Sequence, residues 1–204
     1  MKNAVALIAV AGIASVAAAQ NFSLSMTPSV SQTVEGGNFT VTVYGDADMG
    51  SHILGGAFGL SSDSALIDSM TWSPAAWSAF NTDGGYAGNG NYNEVIFGQL
   101  VIPGIFPPAE LFSPMQEVEL DQHGEAIGSF QVNLAASGAG VIDFQLVAST
   151  GDFSLQSVDS VSGALADDSQ GQLSLGSASV TVTPAPSALA LLGLGGLAAG
   201  RRRR

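Results

Sequence analysis

Residues 72–93 hold the side chains that are best suited by type and spacing to bind a ligand. Four aromatic residues alternate there with asparagines and an aspartate in a Gly/Asn-rich stretch: Trp72, Trp77, Tyr86 and Tyr92. Sugars stack on Trp and Tyr rings while polar side chains take their hydroxyl groups, so the pattern suggests a carbohydrate-binding surface. The competing interpretation is structural: Trp72 and Phe80 fill one end of a folded core, and the tyrosines cover it.

Two pairs of aspartates are candidate calcium ligands. Asp46 and Asp48 begin like a calcium-binding loop, but the twelfth position is Ala57, where such a loop needs a bidentate glutamate. Asp167 and Asp168 form the second pair. Solvated aspartates in turns are the simpler interpretation, so we expect no obligatory cofactor. Zinc is disfavoured because the chain has two histidines and no cysteine.

Residues that would mark an active site are scarce. The histidines are His52 and His123, and the second falls in a predicted turn over 121–124. The chain contains no Gly-x-Ser-x-Gly elbow, His-Glu-x-x-His motif or P-loop. We therefore predict a protein without catalytic residues. The alternative is an enzyme whose active site leaves no signature in the sequence.

Charge is distributed very unevenly along the chain. The five basic residues are Lys2 and Arg201 to Arg204, so the seventeen acidic residues lie in a stretch that contains no Lys or Arg. Such a stretch cannot neutralise phosphates, which excludes nucleic-acid partners and disfavours anionic membrane surfaces. Because its charges repel one another, we also expect its stability to rise with added salt or divalent cations.

The amino end has the features of an export signal. Lys2 is followed by an apolar run from Ala4 to Val16 and by Ala17-Ala18-Ala19, a small-residue cleavage pattern. We therefore expect a signal peptide over 1–19, use of the export machinery, and a mature chain that starts at Gln20. A permanent amino-terminal anchor is the alternative.

The carboxyl end, Thr183–Arg204, combines a proline pair, an apolar run and four arginines. The fourteen residues 187–200 would form a helix of roughly 21 Å, which is short of the ~30 Å hydrocarbon core of a bilayer. The arginines favour the cytoplasmic face, so a transient transmembrane helix in the inner membrane is expected. The alternative is a buried helix with a basic end.

This arrangement resembles the PEP-CTERM sorting tail of exported bacterial proteins. The matching residues are Pro184, Pro186, the run 188–194 and the cluster Arg201, Arg202, Arg203 and Arg204; Ala185 stands where the family has glutamate. The resemblance implies an exosortase-type membrane protease as partner, removal of the tail near Pro184–Pro186, and a bacterium that makes exopolysaccharide. It also implies a final location at the cell surface or in the extracellular matrix.

Between the two ends, residues 20–182 have the alternation typical of β-strands. Segments 39–43, 130–134 and 142–146 alternate apolar and polar residues, and further strands are predicted near 22–26, 29–34, 53–60, 94–102 and 153–158. Glycine-containing turns are predicted at 35–38, 137–140 and 150–152. The apolar parity changes between Leu175 and Val180, which predicts a bulge or bend at Gly176–Ser177.

Many short alternating strands favour an all-β fold, an antiparallel two-sheet sandwich between the signal helix and the apolar carboxyl-terminal helix. Residues 29–68 resemble the first half of a cohesin-type sandwich, through the glycine-rich strand 55–60 and the matches at Asp63 and Leu66. The resemblance implies the architecture but not dockerin binding, and an immunoglobulin-like sandwich is the alternative. The proline-rich segment 103–114 is predicted to be a long loop or edge crossing.

Overall fold

The computed structural model describes residues 21–48, 52–99, 123–158 and 164–185, which form two β-sheets packed face to face. Their elements in chain order are β1 (Asn21–Pro28), β2 (Gln32–Val34), β3 (Asn38–Ala47), β4 (His52–Ser61), β5 (Ile67–Pro74), β6 (Thr82–Asp83), β7 (Tyr86–Gly88), β8 (Asn91–Gly98), β9 (His123–Leu134), β10 (Gly140–Ala148), β11 (Gln156–Val158), β12 (Leu165–Asp167), a 3-10 turn (Asp168–Gln170), β13 (Gln172–Leu175) and β14 (Ser177–Thr183). The all-β sandwich expected from the alternation is confirmed.

The predicted terminal helices and the proline-rich segment 103–114 lie outside these described ranges. Within those ranges, the chain forms no helix long and apolar enough to cross a bilayer.

The five-stranded sheet has the order β13–β1–β3–β9–β5. The nine-stranded sheet follows the path β12–β11–β4–β10–β14–β2, with β8 on β4, and β6 and β7 on β8. Most neighbours are antiparallel, as predicted, but β1 pairs with β13 and β14 pairs with β2 in parallel. The purely antiparallel expectation is wrong at these two pairs, because β13 lies beside β1 and β14 beside β2 and each runs in the same direction as its neighbour.

Side chains from the inner faces of both sheets form one core. In β3, every second residue from Phe39 to Ala47 is buried, which places the apolar positions inward and the threonines outward. Phe58 lies at the centre, with its ring centroid 5.6 Å from that of Trp72, 5.9 Å from Phe97 and 6.3 Å from Phe130. Burial of these large rings is the main favourable contribution to folding.

Gly176 is the point at which the chain passes from one sheet to the other. Its N–H donates to the Leu24 carbonyl of the five-stranded sheet at 2.8 Å, and its carbonyl accepts from Leu146 of the other sheet at 3.2 Å. A Cβ at this position would lie 3.0 Å from the Ser25 Cα, which explains the glycine. The bend predicted from the parity change is therefore confirmed.

Several elements differ from the sequence prediction: the short strands β6, β7 and β12 were not predicted. β5 was not predicted, because a register shift between Ile67 and Ser69 moves its apolar residues from odd to even positions and breaks the alternation. β9 starts at His123, so the turn predicted over 121–124 is wrong for its last two residues, which belong to the strand. The predicted glycine turns lie between strands at 35–37, 137–139 and 150–152, while Asn38 and Gly140, the last residues predicted for the first two turns, begin β3 and β10.

Candidate functional site

The aromatic residues of the 72–93 stretch are used mainly inside the fold. Trp72 and Tyr92 are 7% and 5% exposed, and their ring centroids lie 4.7 and 5.0 Å from that of Phe130. Gly128 makes room for the indole ring, because a Cβ there would lie 2.5 Å from its edge. The prediction that Trp72 and Tyr92 stack on a sugar is wrong, since neither ring face is open to solvent.

A polar network fixes the Tyr92 side chain. Its hydroxyl donates to Asp83 Oδ1 at 2.8 Å and accepts the Trp72 backbone N–H at 3.1 Å. Burial, and then the hydrogen bond to Asp83, raises the pKa of Tyr92 to about 12. This arrangement ties the 82–92 region to β5.

Trp77 and Tyr86 are half-buried and also bonded to the protein. The Trp77 indole N–H donates to the Ala126 carbonyl at 2.9 Å, and the Tyr86 hydroxyl donates to the Ile67 carbonyl at 2.9 Å. The structural interpretation therefore describes this stretch better than a four-ring binding platform. It fails for Phe80, which was expected to fill the core and is instead 55% exposed.

Phe80 lies on the rim of an open groove on the outer face of the nine-stranded sheet. The groove has a volume of about 450 Å³ and lies where β4, β8, the 149–156 segment and β12 meet. Its apolar lining side chains are Leu54, Ala57, Phe80, Ile96, Phe97, Phe153 and Leu165, and its polar ones include Glu94, Gln99, Asp152 and Gln156. Leu165 is 48% exposed.

The glycine pair Gly55-Gly56 gives this groove its shape. The pairing of β4 with β11 shifts register here, and the Ser154 carbonyl accepts the Ala57 N–H at 3.1 Å. A Cβ on Gly56 would lie 2.0 Å from that carbonyl oxygen, so a larger residue would push the 149–156 segment away. The Gly55-Gly56 pair can be seen in the sequence, but its role cannot. That role depends on contact with the segment around Ser154, about a hundred residues further along the chain.

Two carboxylates hold the wall of the groove. Glu94 Oε2 accepts the Thr150 N–H at 2.8 Å and the hydroxyls of Ser149 and Thr150 at 2.9 and 3.3 Å. These bonds, led by the one from the Thr150 backbone, hold the pKa of Glu94 below its usual value. Asp168 Oδ1 accepts the N–H groups of Ser154 and Leu155, both at 2.7 Å.

The aspartates suggested as calcium ligands have structural partners. Asp48 Oδ2 accepts the backbone and side-chain N–H groups of Asn21 at 3.2 and 2.5 Å, which ties the start of β1 to the end of β3. Asp46 and Asp48 line one pocket together with Asn21. Among the residues that the structure describes, no three His, Cys, Asp or Glu side chains are grouped to hold a metal ion.

A second site lies where the chain leaves the sandwich. β14 ends at Thr183; Pro184 is exposed, and Ala185 donates its N–H to Glu35 Oε1 at 3.1 Å. Pro186 and Arg201 to Arg204, on which the resemblance to a sorting tail depends, lie outside the described residues. Glu35 was assigned only to a turn from the sequence, because its partner is 150 positions away.

The groove and the chain exit are at opposite ends of the same sheet. In β10, Gly140 pairs with Val182 beside the exit, and Ala148 precedes the segment that forms the groove wall. Eight residue steps of strand separate these positions, or roughly 26 Å.

The arrangement of the two sheets is shared with solved structures. The seventh ScaB type I cohesin from Pseudobacteroides cellulosolvens matches with a TM-score of 0.50 at 12% identity, over 82% of this chain and 94% of that one. The chain has a cohesin-like fold. Of the two sandwich types considered from the sequence, the cohesin-like one is thus confirmed.

Two further cohesin structures match at lower scores. The Coh-OlpA-Doc918 cohesin–dockerin complex from Clostridium thermocellum gives a TM-score of 0.47 at 11% identity, over 79% of this chain and 99% of that one. The cohesin module of a family 33 glycoside hydrolase from Clostridium perfringens gives 0.45 at 11% identity, over 79% and 98%. No family model and no curated protein sequence matches the chain. At these identities the similarity establishes the fold alone.

Proposed function

We propose that this chain is an exported, non-enzymatic protein of the cell surface or extracellular matrix, whose cohesin-like sandwich is a binding module delivered by a sorting tail. The observation that carries the proposal is that the groove lies at one end of the nine-stranded sheet and the root of the tail, residues 183–185, at the other. A module delivered by one end presents the other end to its surroundings.

The sorting step is supported by the position at which the sandwich ends. The last strand stops at Thr183, directly before the Pro184-Ala185-Pro186 motif, so removal of the tail would leave every described strand intact. The partners in this step are the export machinery and an exosortase-type membrane protease. The two charged ends of the precursor suit this route, because export places the amino end outside while the arginines remain inside.

Replacement of Arg201 to Arg204 by serine tests the sorting step in a bacterium that has an exosortase-type protease. We expect the wild-type protein to reach the outside of the cell with its tail removed, and the serine variant to keep its tail. A lysine variant is the control, because it preserves the charge that stops the chain in the membrane. Equal processing of all three proteins would contradict a sorting role for this cluster.

The binding role is supported by the chemistry of the groove. Its volume falls within the roughly 300–1,000 Å³ of ligand sites, and exposed Phe80 and Leu165 offer apolar contact area. The occupant that fits is a protein or peptide segment with an apolar side chain flanked by Lys or Arg. Glu94 and Asp152 line the groove, and the chain has no Lys or Arg of its own between Asn3 and Gly200. A second copy of this acidic module would be repelled.

A short amphipathic Leu/Lys peptide and the exopolysaccharide of the host are the two probes for the groove. We expect the peptide to bind in a salt-dependent way and Phe80→Ser to weaken binding by about fivefold or more. Val141→Ser is the matched control, because Val141 is 56% exposed on the same sheet but beside the tail exit. If the polysaccharide binds instead and is lost in Phe80→Ser, the occupant is a glycan; if neither probe binds, the groove is not a binding site.

A further inference from the structure

Glu35 connects three segments that are far apart in the sequence. It lies in the turn between β2 and β3, where its Oε2 accepts the Gly138 N–H at 3.0 Å and its Oε1 accepts the Ala185 N–H at 3.1 Å. Gly138 belongs to the turn between β9 and β10, and Ala185 is the middle residue of the Pro-Ala-Pro motif. One carboxylate therefore holds a neighbouring turn with one oxygen and the root of the tail with the other.

The backbone around Glu35 also bonds to Thr183, the residue directly before the Pro-Ala-Pro motif. The Glu35 N–H donates to the Thr183 carbonyl at 3.0 Å, and the Thr183 hydroxyl donates to the Thr33 carbonyl at 3.1 Å. Pro184 has no N–H to donate, so the amide of Ala185 is the first one after Thr183 that can bond to the body. The chain is thus held on both sides of Pro184.

We propose that Glu35 is a positioning residue that fixes the root of the tail and shields the Pro184–Ala185 bond from proteases. Its carboxylate holds the root of the segment that is removed, so a cut within Pro184–Pro186 requires the bond from Ala185 to open first. The link to tail removal rests on the sorting function proposed above, whereas the shielding itself does not.

The shielding follows from how proteases act. A protease must take several residues on each side of the cleaved bond into its own site, and a segment bonded to a folded body has to detach first. The rate of cutting at a held bond therefore depends on the fraction of molecules in which the segment has opened. Loss of the bond from Ala185 raises that fraction.

Glu35→Gln is the variant that separates the bond from the size of the side chain. A carboxylate offers two acceptor oxygens, whereas a glutamine amide offers one oxygen and an NH2 group that cannot accept. Because Gly138 and Ala185 bond to different oxygens, the NH2 group must face one of these two N–H groups. We expect the oxygen to stay with Gly138, which lies in a turn between two strands, and Ala185, which follows the last described strand, to lose its acceptor. Glu94→Gln is the matched control, because Glu94 also accepts a backbone N–H but lies at the groove end.

Amide hydrogen exchange at Ala185 directly measures the bond from Ala185 to Glu35, which is called the clamp from here on. In the full chain with its tail, held in a mild detergent and followed by NMR, we expect exchange at Ala185 to be about tenfold faster in Glu35→Gln. Exchange at core amides such as Val41 should not change, and Glu94→Gln should behave as the wild type at Ala185. Unchanged exchange at Ala185 in folded Glu35→Gln would overturn the proposal.

A proline-specific endoprotease gives a second, independent measurement. We expect the wild-type chain to be cut first after Pro186, and the initial rate of the cut after Pro184 to rise about tenfold in Glu35→Gln. Equal initial rates at Pro184 in the two proteins would contradict the shielding. If Glu35→Gln does not fold, Glu35→Asp replaces it, because the shorter side chain keeps the charge but cannot reach both amides.

The clamp and the sorting function can fail separately. Faster exchange at Ala185 in Glu35→Gln, combined with a tail that is never removed in cells, supports the clamp and refutes the sorting. Tail removal in cells with wild-type exchange in the variant refutes the clamp and leaves the sorting in place.

Discussion

One glutamate holds each end of the nine-stranded sheet: Glu94 at the groove and Glu35 at the chain exit. The two carboxylates bond to different kinds of segment. Glu94 accepts three bonds from the adjacent residues Ser149 and Thr150, so it shapes one wall of the groove. Glu35 accepts one bond from each of two separate segments, at Gly138 and Ala185, so it couples the sandwich to its tail. We propose that the groove end contacts a partner and that the bond from Ala185 to Glu35 at the other end is released before the tail is removed.

Several carboxylates of the stretch between Asn3 and Gly200 are hydrogen-bonded without help from Lys or Arg. Between Asn3 and Gly200 there is no Lys or Arg to pair with them. Glu35, Glu94, Asp48 and Asp168 instead accept backbone N–H groups from loops and strand ends. Bonds between a backbone N–H and an ionised carboxylate are stronger than those between neutral groups, so each holds its loop in place.

The largest expected effect comes from the core that both ends share. Phe130→Ala removes a ring that contacts Trp72, Tyr92 and Phe58, and should lower the free energy of unfolding by about 3–5 kcal/mol. Chemical denaturation measures the loss, and amide exchange should accelerate at Thr150 and Ala185 alike. Val147→Ala, at an exposed position, should cost no more than about 0.5 kcal/mol. Loss of protection at one end only would show that the ends do not share a core.

Gly56→Ala should disturb the groove end selectively. The added Cβ would lie 2.0 Å from the Ser154 carbonyl oxygen, and overpacking of this kind costs about 1–3 kcal/mol. Gly59→Ala, on the same strand, is the control because its nearest neighbour would be at 3.4 Å. We expect Gly56→Ala to accelerate exchange at Thr150 but not at Ala185. Equal denaturation midpoints for the two variants would argue against a tight contact at Gly56.

Glu94→Gln should change how stability depends on pH. Because the pKa of Glu94 is lowered in the folded protein, its stabilising contribution is present above the pKa of the unfolded chain. The contribution is lost as the pH falls through the folded value. Denaturation midpoints measured from neutral to acidic pH should therefore decline less steeply in Glu94→Gln, while Val147→Ala should keep the wild-type slope. Parallel curves for Glu94→Gln and the wild type would contradict the role given to this carboxylate.

Added salt should have the smallest effect and should act on both ends. Screening over a Debye length of ~8 Å at physiological ionic strength reduces the repulsion among the acidic residues. The melting temperature should rise by a few degrees with sodium chloride and also with calcium chloride. A melting temperature that does not respond to either salt would refute this expectation.

The features that could be predicted from the sequence are those that depend on near neighbours. Alternation identified β3 and β10, glycines identified three turns, and the parity change before Val180 identified a bend at Gly176, which proves to be where the chain changes sheets. β5 was missed because its register shift breaks the alternation on which strand prediction depends. Local pattern is therefore sufficient for regular strands and insufficient where two strands adjust to each other.

The candidate sites depend on contacts across long sequence separations. Trp72 and Tyr92 were plausible surface residues until their packing on Phe130 placed them inside. Glu35 could not be linked to Ala185 because no local pattern reports a bond across 150 positions. The Pro-Ala-Pro motif could be recognised from the sequence because it is contiguous, whereas the bond from Ala185 to Glu35 is a product of the fold.

The intact mass of the protein recovered from outside the cell tests the central claim most directly, in a bacterium with an exosortase-type protease. We expect one main species that starts at Gln20 and ends within Pro184–Pro186, with the arginines absent and every described strand retained. A species that still carries Arg201 to Arg204, or one that ends within β14, would contradict it.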